Sequence, residues 1–279
     1  MSAAASPPPR LAILGVASVL PPSRPTREVA AELGADASGY RGWDNICLAG
    51  PDDHPSSMST RALALALARS DVAADDLRLV LFTGMSRDYL PSWSVATEVM
   101  NECGTSPDCV GIDITIGCLS VLTGLNMALG WLMLAGGGHA AIVTAERWAY
   151  TVDRSRVELM SLWGHADGGG ALVVGVDVSQ PSLADYVGAE VTSDADHNGR
   201  VLIKHGGTRH PLTPPGEAPH QRLVEAGSAK QAKARYLAGY TKVASAIRTR
   251  FDAVPGHLVC NQISTAYAFG AGLLLPPER

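Results

Sequence analysis

The residue of this chain with the clearest chemical potential is Cys118, which lies in the segment Asp113–Gly124 (DITIGCLSVLTG). The residue pattern predicts a strand, a tight turn at Gly117 and then an apolar helix, with Cys118 in the first helical turn. A cysteine at that place faces the positive end of the helix dipole, which favours the thiolate over the thiol. Because the thiolate is the nucleophilic form, the segment predicts covalent chemistry at Cys118. The alternative to a nucleophile is that Cys118 is a small residue buried in the core.

The other cysteines and the histidines show no spacing that is typical of a metal site. The chain has 5 cysteines and 8 histidines, and its sequence contains neither a C-x-x-C pair nor an H-E-x-x-H motif. We therefore predict no metal and no cofactor. Unpaired cysteines of this kind are typical of free thiols in a reducing compartment, so we expect a cytoplasmic protein.

A second candidate for chemistry is His205, in the stretch Lys204–Gly227, which is rich in Gly, Pro and His. We expect a long surface loop here, and such loops often carry functional residues. The imidazole could act as a base, whereas the ordinary alternative is a solvated surface histidine. Two carboxylates are expected to be structural: Glu146, which follows a buried strand, and Asp167, which begins a Gly-rich turn.

The composition excludes several classes of protein. The chain has 279 residues, of which 46% are hydrophobic and 18% charged, with a net charge of −5. These values exclude a mainly disordered chain, and no basic stretch is dense enough to predict a nucleic-acid partner. The apolar run Cys118–Ala135 is interrupted by Asn126 and ends at a glycine triplet, so we expect no membrane association. We expect this run to be a helix that is buried on all sides at the centre of a large core.

Strand-like and helix-like segments alternate along most of the chain, which predicts α/β layers with helices packed on a mixed sheet. The predicted strands and helices of the first part are Leu11–Val16, Thr60–Arg69, Leu77–Thr83, Trp93–Cys103, Val110–Thr115, Cys118–Leu134, Ala140–Thr144 and Ala171–Val176. After about Ser179 the predicted segments are the strands Leu183–Val191, Arg200–Ile203 and Leu258–Gln262 and the helix Ala226–Phe251. Residues 1–10 are predicted to be a flexible leader.

The order of these segments resembles the β-ketoacyl-acyl carrier protein synthase III family of the thiolase superfamily, and most closely its acyltransferase-like members of secondary metabolism. Asp113–Gly124 looks like the nucleophile strand and helix of that family, and Ile142–Arg147 (IVTAER) looks like its strand that ends in a glutamate. His165–Val174 (HADGGGALVV) is similar to its Asp-Gly-Ala-Gly-Ala segment. Val259–Ser264 (VCNQIS) is similar to the segment that normally reads His-Gln-Ala-Asn. The resemblance extends over Leu11–Arg279.

What the resemblance implies for the fold is a thiolase-like arrangement of two similar α/β halves in layers α-β-α-β-α. The half with the nucleophile would span residues 11–179, and the second half would span residues 180–279. Compared with the family, this second half is expected to be incomplete at its C-terminus. The family also implies a homodimer.

What the resemblance implies for function is acyl transfer through Cys118 from an acyl-coenzyme A or an acyl carrier protein thioester. Asn261 stands where the family has its histidine, and an amide can donate a hydrogen bond but cannot transfer a proton near neutral pH. We therefore predict an acyltransferase of polyketide or antibiotic biosynthesis that passes the acyl group to a carrier protein or a small molecule. In this interpretation Asn261 orients the thioester or helps its oxyanion, and His205 is the candidate base. Two alternatives stay open: a decarboxylative 3-oxoacyl carrier protein synthase of fatty acid biosynthesis, and a non-catalytic partner subunit of an active homologue.

The long helix Ala226–Phe251 carries basic residues throughout, which could meet an acidic carrier protein or a coenzyme A phosphate. The alternative is an ordinary solvated helix face. The six basic residues are Lys230, Lys233, Arg235, Lys242, Arg248 and Arg250.

Overall fold

The computed structural model describes residues 10–90, 92–199, 201–217, 222–224 and 228–251. Its strands are β1 (Leu11–Val19), β2 (Ser23–Pro25), β3 (Asn45–Cys47), β4 (Leu77–Phe82), β5 (Val110–Asp113), β6 (Gly138–Arg147), β7 (Asp167–Val176), β8 (Ala184–Tyr186), β9 (Val201–Ile203) and β10 (Arg222–Val224). Its α-helices are α1 (Thr26–Glu32), α2 (Pro55–Ser70), α3 (Val95–Cys103), α4 (Ser120–Leu134) and α5 (Ser228–Phe251).

The chain divides into two compact units. The first contains the residues up to Pro22 together with Cys47–Arg147 and Ala166–Gly188. The second contains Ser23–Ile46, Trp148–His165 and the residues from Ala189 onward. The predicted division into residues 11–179 and 180–279 stays a prediction.

The first unit is built on a six-stranded mixed sheet in the order β5-β4-β6-β7-β1-β8. Strands β5, β4 and β6 are parallel, and β7, β1 and β8 continue the sheet in antiparallel pairs. The carboxyl ends of β4, β5 and β6 therefore meet at one edge of the sheet, which is where parallel sheets commonly place functional loops. The prediction of a mixed sheet covered by helices is confirmed.

Helices cover both faces of this sheet. Helices α2 and α3 pack on one face, with an apolar core that includes Met58, Leu63, Phe82 and Val99. Helix α4 packs on the other face over a second apolar core, which includes Leu81, Leu125 and Leu132. Gly15 allows the close approach of α2 to β1, because a Cβ on Gly15 would lie 2.3 Å from the carbonyl oxygen of Ala66.

Only one face of α4 is buried by the described part of the chain. Leu125, Ala128 and Leu132 face the sheet, whereas Leu122 is 53% exposed and Leu134 is 92% exposed. The prediction that this helix is buried on all sides is wrong for the described residues, because no described element packs on its outer face. By length and composition Gly117–Leu134 could also cross a membrane, with 28% of the stretch buried. Its packing on β4, β6 and β7 is that of a core helix in a layered α/β fold.

The second unit has its own small core, in which the rings of Tyr40 and Trp163 pack with Val152. Its helix α5 is tied to the segment before β9 by ion pairs of Arg235 with Asp194 and of Arg250 with Glu190.

Two predictions beyond Ser179 need correction. Lys204–Gly227 is not a continuous loop, because it includes β10, which forms an antiparallel pair with β9. The predicted strand Leu183–Val191 shortens to the three residues of β8, since only these pair with β1. The predicted strand Leu258–Gln262 lies outside the described residues.

Candidate active site

The nucleophile candidate lies on a turn between β5 and α4. Cys118 is the middle residue of a 3-10 turn, Gly117–Leu119, which leads directly into α4. Gly117 has φ +72°, a left-handed conformation that a side chain would strain. The predicted order of strand, turn at Gly117 and helix is therefore confirmed. Cys118 is exposed, so the alternative of a buried core cysteine is wrong.

The side chain of Ser120 closes this turn from its buried side. The Ser120 hydroxyl accepts a hydrogen bond from the Ile116 N–H at 3.0 Å and donates one to the Gly117 carbonyl at 2.6 Å. Ser120 is only 1% exposed. The two residues that precede Cys118 are thus held by one hydroxyl.

The other described cysteines are less accessible than Cys118. Burial raises the pKa of the Cys103 thiol to about 11, and the nearby Glu102 carboxylate adds to this effect. Burial also raises the pKa of the Cys109 thiol. Because both groups are held as thiols, they are poor nucleophiles near neutral pH. Cys118 is the one exposed thiol among the residues that the structure describes.

Glu146, at the end of β6, holds the loop that follows β4. Its carboxylate accepts hydrogen bonds from the N–H groups of Met85 and Ser86 at 2.7 and 2.9 Å and from the Ser86 hydroxyl at 2.6 Å. This loop borders the nucleophile turn, because a Cβ on Gly117 would lie 3.6 Å from the Met85 sulfur. The expectation that Glu146 is structural agrees with these contacts, and the loop that it holds borders the turn with Cys118.

Arg87 connects the same loop to the chain just before the nucleophile turn. Its guanidinium donates to the carbonyl of Gly84 at 2.7 Å and to the Thr115 hydroxyl at 3.0 Å. It also lies 3.4 Å from the Asp113 carboxylate and packs over the Phe82 ring at 4.8 Å. The ends of β4 and β5 are therefore joined by one largely buried cation.

Asp113, the last residue of β5, fixes the start of α3. Its carboxylate accepts hydrogen bonds from the N–H groups of Val95 and Ala96 at 3.1 and 2.9 Å. The N-cap residue Ser94 donates its hydroxyl to the same carboxylate at 3.1 Å. An anion at a helix N-terminus also interacts favourably with the helix dipole.

Apolar side chains flank the thiol in the sequence of the turn. Ile116 is 52% exposed and Leu119 is 49% exposed. Met85, on the neighbouring loop, is 43% exposed. An accessible thiol among exposed apolar side chains can react with a reagent or substrate that carries an apolar group.

The structure places the other predicted site residues as follows. His205 lies in the second unit, where its side chain is only 7% exposed and its Nε2 is 3.7 Å from the Glu217 carboxylate. The alternative that His205 is an ordinary solvated surface histidine is therefore wrong. Its role as a base stays a prediction. Asn261 lies outside the described residues. Asp167 accepts a hydrogen bond from the Ala49 N–H at 2.8 Å, as expected for a structural carboxylate.

Metal and cofactor sites were expected to be absent. Within the described ranges, no group of three or more His, Cys, Asp or Glu side chains could hold a metal ion. The expectation that the chain uses no cofactor stays a prediction.

Sequence reasoning missed Ser120, Ser86 and Arg87. A signal existed for Ser120, because serine hydroxyls commonly bond to nearby backbone groups at the start of a helix. Ser86 and Arg87 carried no such local signal, since their partners Glu146 and Thr115 lie 60 and 28 residues away in the sequence.

Part of this chain, including the segment with Cys118, is similar in sequence to known proteins. Residues 112–195, which include Cys118 and Glu146, match the family 3-Oxoacyl-[acyl-carrier-protein (ACP)] synthase III. The 3-oxopimeloyl-[acyl-carrier-protein] synthase of Rhodothermus marinus is 29% identical over 80% of this chain and 64% of its own length. The beta-ketoacyl-[acyl-carrier-protein] synthase III 1 of Streptomyces coelicolor is 29% identical over 51% of this chain and 39% of its own length. The chain thus spans less than two thirds of the length of these curated relatives.

The fold comparison covers more of the chain. The crystal structure of the 3-oxoacyl-(acyl carrier protein) synthase III from Xanthomonas oryzae pv. oryzae superposes with a TM-score of 0.75 at 19% identity. The match covers 94% of this chain and 80% of that one. The resemblance inferred from the sequence is confirmed: residues 112–195 are similar to the 3-oxoacyl-[acyl-carrier-protein] synthase III family, and the chain has the thiolase-like α/β fold of the synthase from Xanthomonas oryzae.

Proposed function

We propose that this chain carries the acyl-accepting cysteine of an acyl-thioester-using enzyme of the synthase III type. The observation that carries the proposal is the exposed thiol of Cys118 on a fixed turn at the start of α4. The thiolate is the reactive form of a cysteine, and an exposed thiol is accessible both to a base and to a thioester. The match to the synthase III family over residues 112–195 supports the same role.

The proposed reaction has two steps. In the first, the Cys118 thiolate attacks the carbonyl carbon of an acyl-coenzyme A or acyl carrier protein thioester, and the bond from that carbon to the donor sulfur breaks. The donor leaves as a thiol after it takes up a proton. In the second step, a nucleophilic acceptor loses its proton to a base and takes the acyl group, which returns Cys118 to the thiolate. Backbone N–H groups near the cysteine would stabilise the oxyanion in both steps.

The surroundings of the thiol favour an apolar acyl group. Ile116 and Leu119 are both about half exposed on the turn itself, and Met85 lies on the loop held against it. Burial of an acyl chain against such side chains removes apolar surface from water, which favours binding. A homodimer, a cytoplasmic location and a place in polyketide or antibiotic biosynthesis belong to the same proposal.

An acyl carrier protein is the proposed macromolecular partner, but two of the basic residues on α5 do not support docking through that helix. Arg235 and Arg250 form ion pairs with Asp194 and Glu190 of the same chain. A carrier protein would have to compete with these carboxylates. The proposal of this partner therefore rests on the family resemblance.

Decarboxylative condensation is the second candidate, because both curated relatives described above are named as synthases. This reaction would also begin with acylation of Cys118, after which a malonyl carrier protein would lose carbon dioxide and attack the acyl-enzyme. Asn261, at the position of the family's histidine, is the feature that argues for transfer instead. A non-catalytic partner subunit would show neither reaction.

One experiment separates the three possibilities. The purified protein is incubated with a panel of acyl-coenzyme A and acyl carrier protein donors, and its intact mass is recorded. Cys118→Ala is compared with the matched control Cys47→Ala, which removes a half-buried thiol. We expect an acyl adduct in the wild type and the control and none in Cys118→Ala. Release of carbon dioxide from malonyl carrier protein would favour condensation, and no adduct from any donor would contradict both enzymatic proposals.

A further inference from the structure

The turn that carries Cys118 has a conformation that its own residues do not stabilise well. Ile116 is the N-cap residue of the 3-10 turn Gly117–Leu119, with φ −126° and ψ 12°, and its apolar side chain cannot accept the hydrogen bonds that an N-cap residue usually accepts. The next residue, Gly117, is left-handed at φ +72°. The first N–H groups of a helix have no intrahelical partner, so such a turn needs a polar group from elsewhere.

Ser120 supplies that group from two residues beyond the cysteine. Its hydroxyl bonds to the N–H of Ile116 and to the carbonyl of Gly117, and its own N–H bonds to the same carbonyl. These three hydrogen bonds link Ser120 to Ile116 and Gly117, the two residues before Cys118. The hydroxyl is buried at 1% exposure while the cysteine is exposed, so Ser120 acts on the backbone and not on a substrate.

We infer that Ser120 is a positioning residue for Cys118: its hydroxyl holds the turn so that the thiol and the backbone N–H groups beside it are in place for acyl transfer. This inference rests on the proposed function. A donor for an oxyanion must be in place before charge develops, and small displacements of a reacting group slow acyl transfer strongly. Simple alkylation of a thiol needs no oxyanion donor, so it depends much less on this geometry.

The test compares two reactions of the same thiol in three variants. Ser120→Ala removes the hydroxyl, and Ser120→Thr keeps it. The matched control is Ser59→Ala, because Ser59 is also a buried helical serine and its hydroxyl has no hydrogen-bond partner in the described part of the chain. The rates measured are acylation of Cys118 by acyl-coenzyme A and its alkylation by iodoacetamide, both by intact mass.

We expect Ser120→Ala to slow acylation by roughly 10- to 100-fold. Its alkylation rate should change by less than about 3-fold, because the thiol stays exposed. Ser120→Thr should retain most of the acylation rate, and Ser59→Ala should leave both reactions unchanged. Acylation of Ser120→Ala at the wild-type rate would overturn the inference. An equal loss of both reactions would also overturn it, because unfolding or altered ionisation of the thiol affects both.

A second measurement keeps this inference distinct from the proposed function. If the wild-type protein accepts no acyl group, the proposed function fails, and amide hydrogen exchange of the peptide that contains Ile116–Ser120 then tests the positioning of the turn. Faster exchange of this peptide in Ser120→Ala than in Ser59→Ala supports the role of the hydroxyl in holding the turn. Equal exchange in the two variants contradicts it.

Discussion

Replacing Glu146 by glutamine should loosen the loop that follows β4 and borders the turn with Cys118, because the Glu146 carboxylate accepts three hydrogen bonds from this loop. The two oxygens of Glu146 accept hydrogen bonds from the Met85 N–H, the Ser86 N–H and the Ser86 hydroxyl, at 2.7, 2.9 and 2.6 Å. Glutamine has the same length but carries an NH₂ group in place of one oxygen. That group is a donor and would face another donor, so at least one of the three hydrogen bonds is lost.

The size of the effect follows from the charge and burial of the carboxylate. A hydrogen bond to a charged group contributes about 1.5–3 kcal/mol, and one between neutral groups contributes about 0.5–1.5 kcal/mol. Loss of one bond and weakening of the others would lower the free energy of unfolding by about 2–4 kcal/mol. Glu146 is half-buried, so water can replace part of the lost hydrogen bonding. We therefore expect the free energy of unfolding to fall by about 2 kcal/mol. For a protein of this size the Tm would fall by about 4–8 °C.

The assay is denaturant unfolding of Glu146→Gln beside Glu102→Gln, which neutralises an exposed glutamate on α3. The rate of Cys118 acylation is measured in the same samples, and we expect it to fall in Glu146→Gln alone, because the loop with Met85 borders Gly117. A free energy of unfolding for Glu146→Gln within about 0.5 kcal/mol of the control would refute the reasoning.

Two further predictions concern the turn and the buried thiols. Gly117→Ala should destabilise the fold by about 1–2 kcal/mol and slow acylation, because alanine is strained in a left-handed conformation. The control is Gly136→Ala, at a similar φ of +76° beyond the other end of α4. It should lower the stability by a similar amount and leave the acylation rate unchanged. Equal acylation rates in these two variants would contradict the role of the turn. Because burial raises the pKa of Cys103 to about 11, its thiolate fraction at pH 8 is about 0.001 and rises about tenfold per pH unit below that pKa. Iodoacetamide should therefore label Cys118 well before Cys103 at pH 8, as followed by peptide mass spectrometry, and equally fast labelling of the two would contradict this expectation.

The local structure around Cys118 could be predicted from the sequence because its signal is local. A strand, a glycine, a cysteine and an apolar helix follow one another within Asp113–Gly124, and the structure has that order. The end of α3 is a second local success, since the helix was predicted to end at Cys103 and does so, with the left-handed Gly104 as its C-cap. The start of α2 was less accurate: the helix was predicted from Thr60, whereas it begins at Pro55 after His54, with the Ser57 hydroxyl accepting a hydrogen bond from the His54 N–H.

The parts that escaped prediction depend on contacts between distant segments. Glu146 and Ser86 meet only because β4 and β6 are parallel neighbours, which places the residues after each strand at one edge. The exposed outer face of α4 could not be read from composition, because its residues are apolar on every side and only the packing tells which of them face the sheet. His205 was expected on an exposed loop, yet its ring packs against the ring of His210 at 6.0 Å, a contact that sequence spacing alone does not reveal.

The measurement that tests the central claim most directly is the location of the acyl group in a single turnover. The wild-type protein is mixed with an isotope-labelled acyl-coenzyme A, quenched in acid and digested, and the labelled peptide is sequenced by mass spectrometry. We predict that the label is on the Cys118 sulfur and is lost when an acceptor thiol or amine is added before the quench. Label on any other residue, or no label at saturating donor, would contradict the proposal that Cys118 is the acyl-accepting nucleophile.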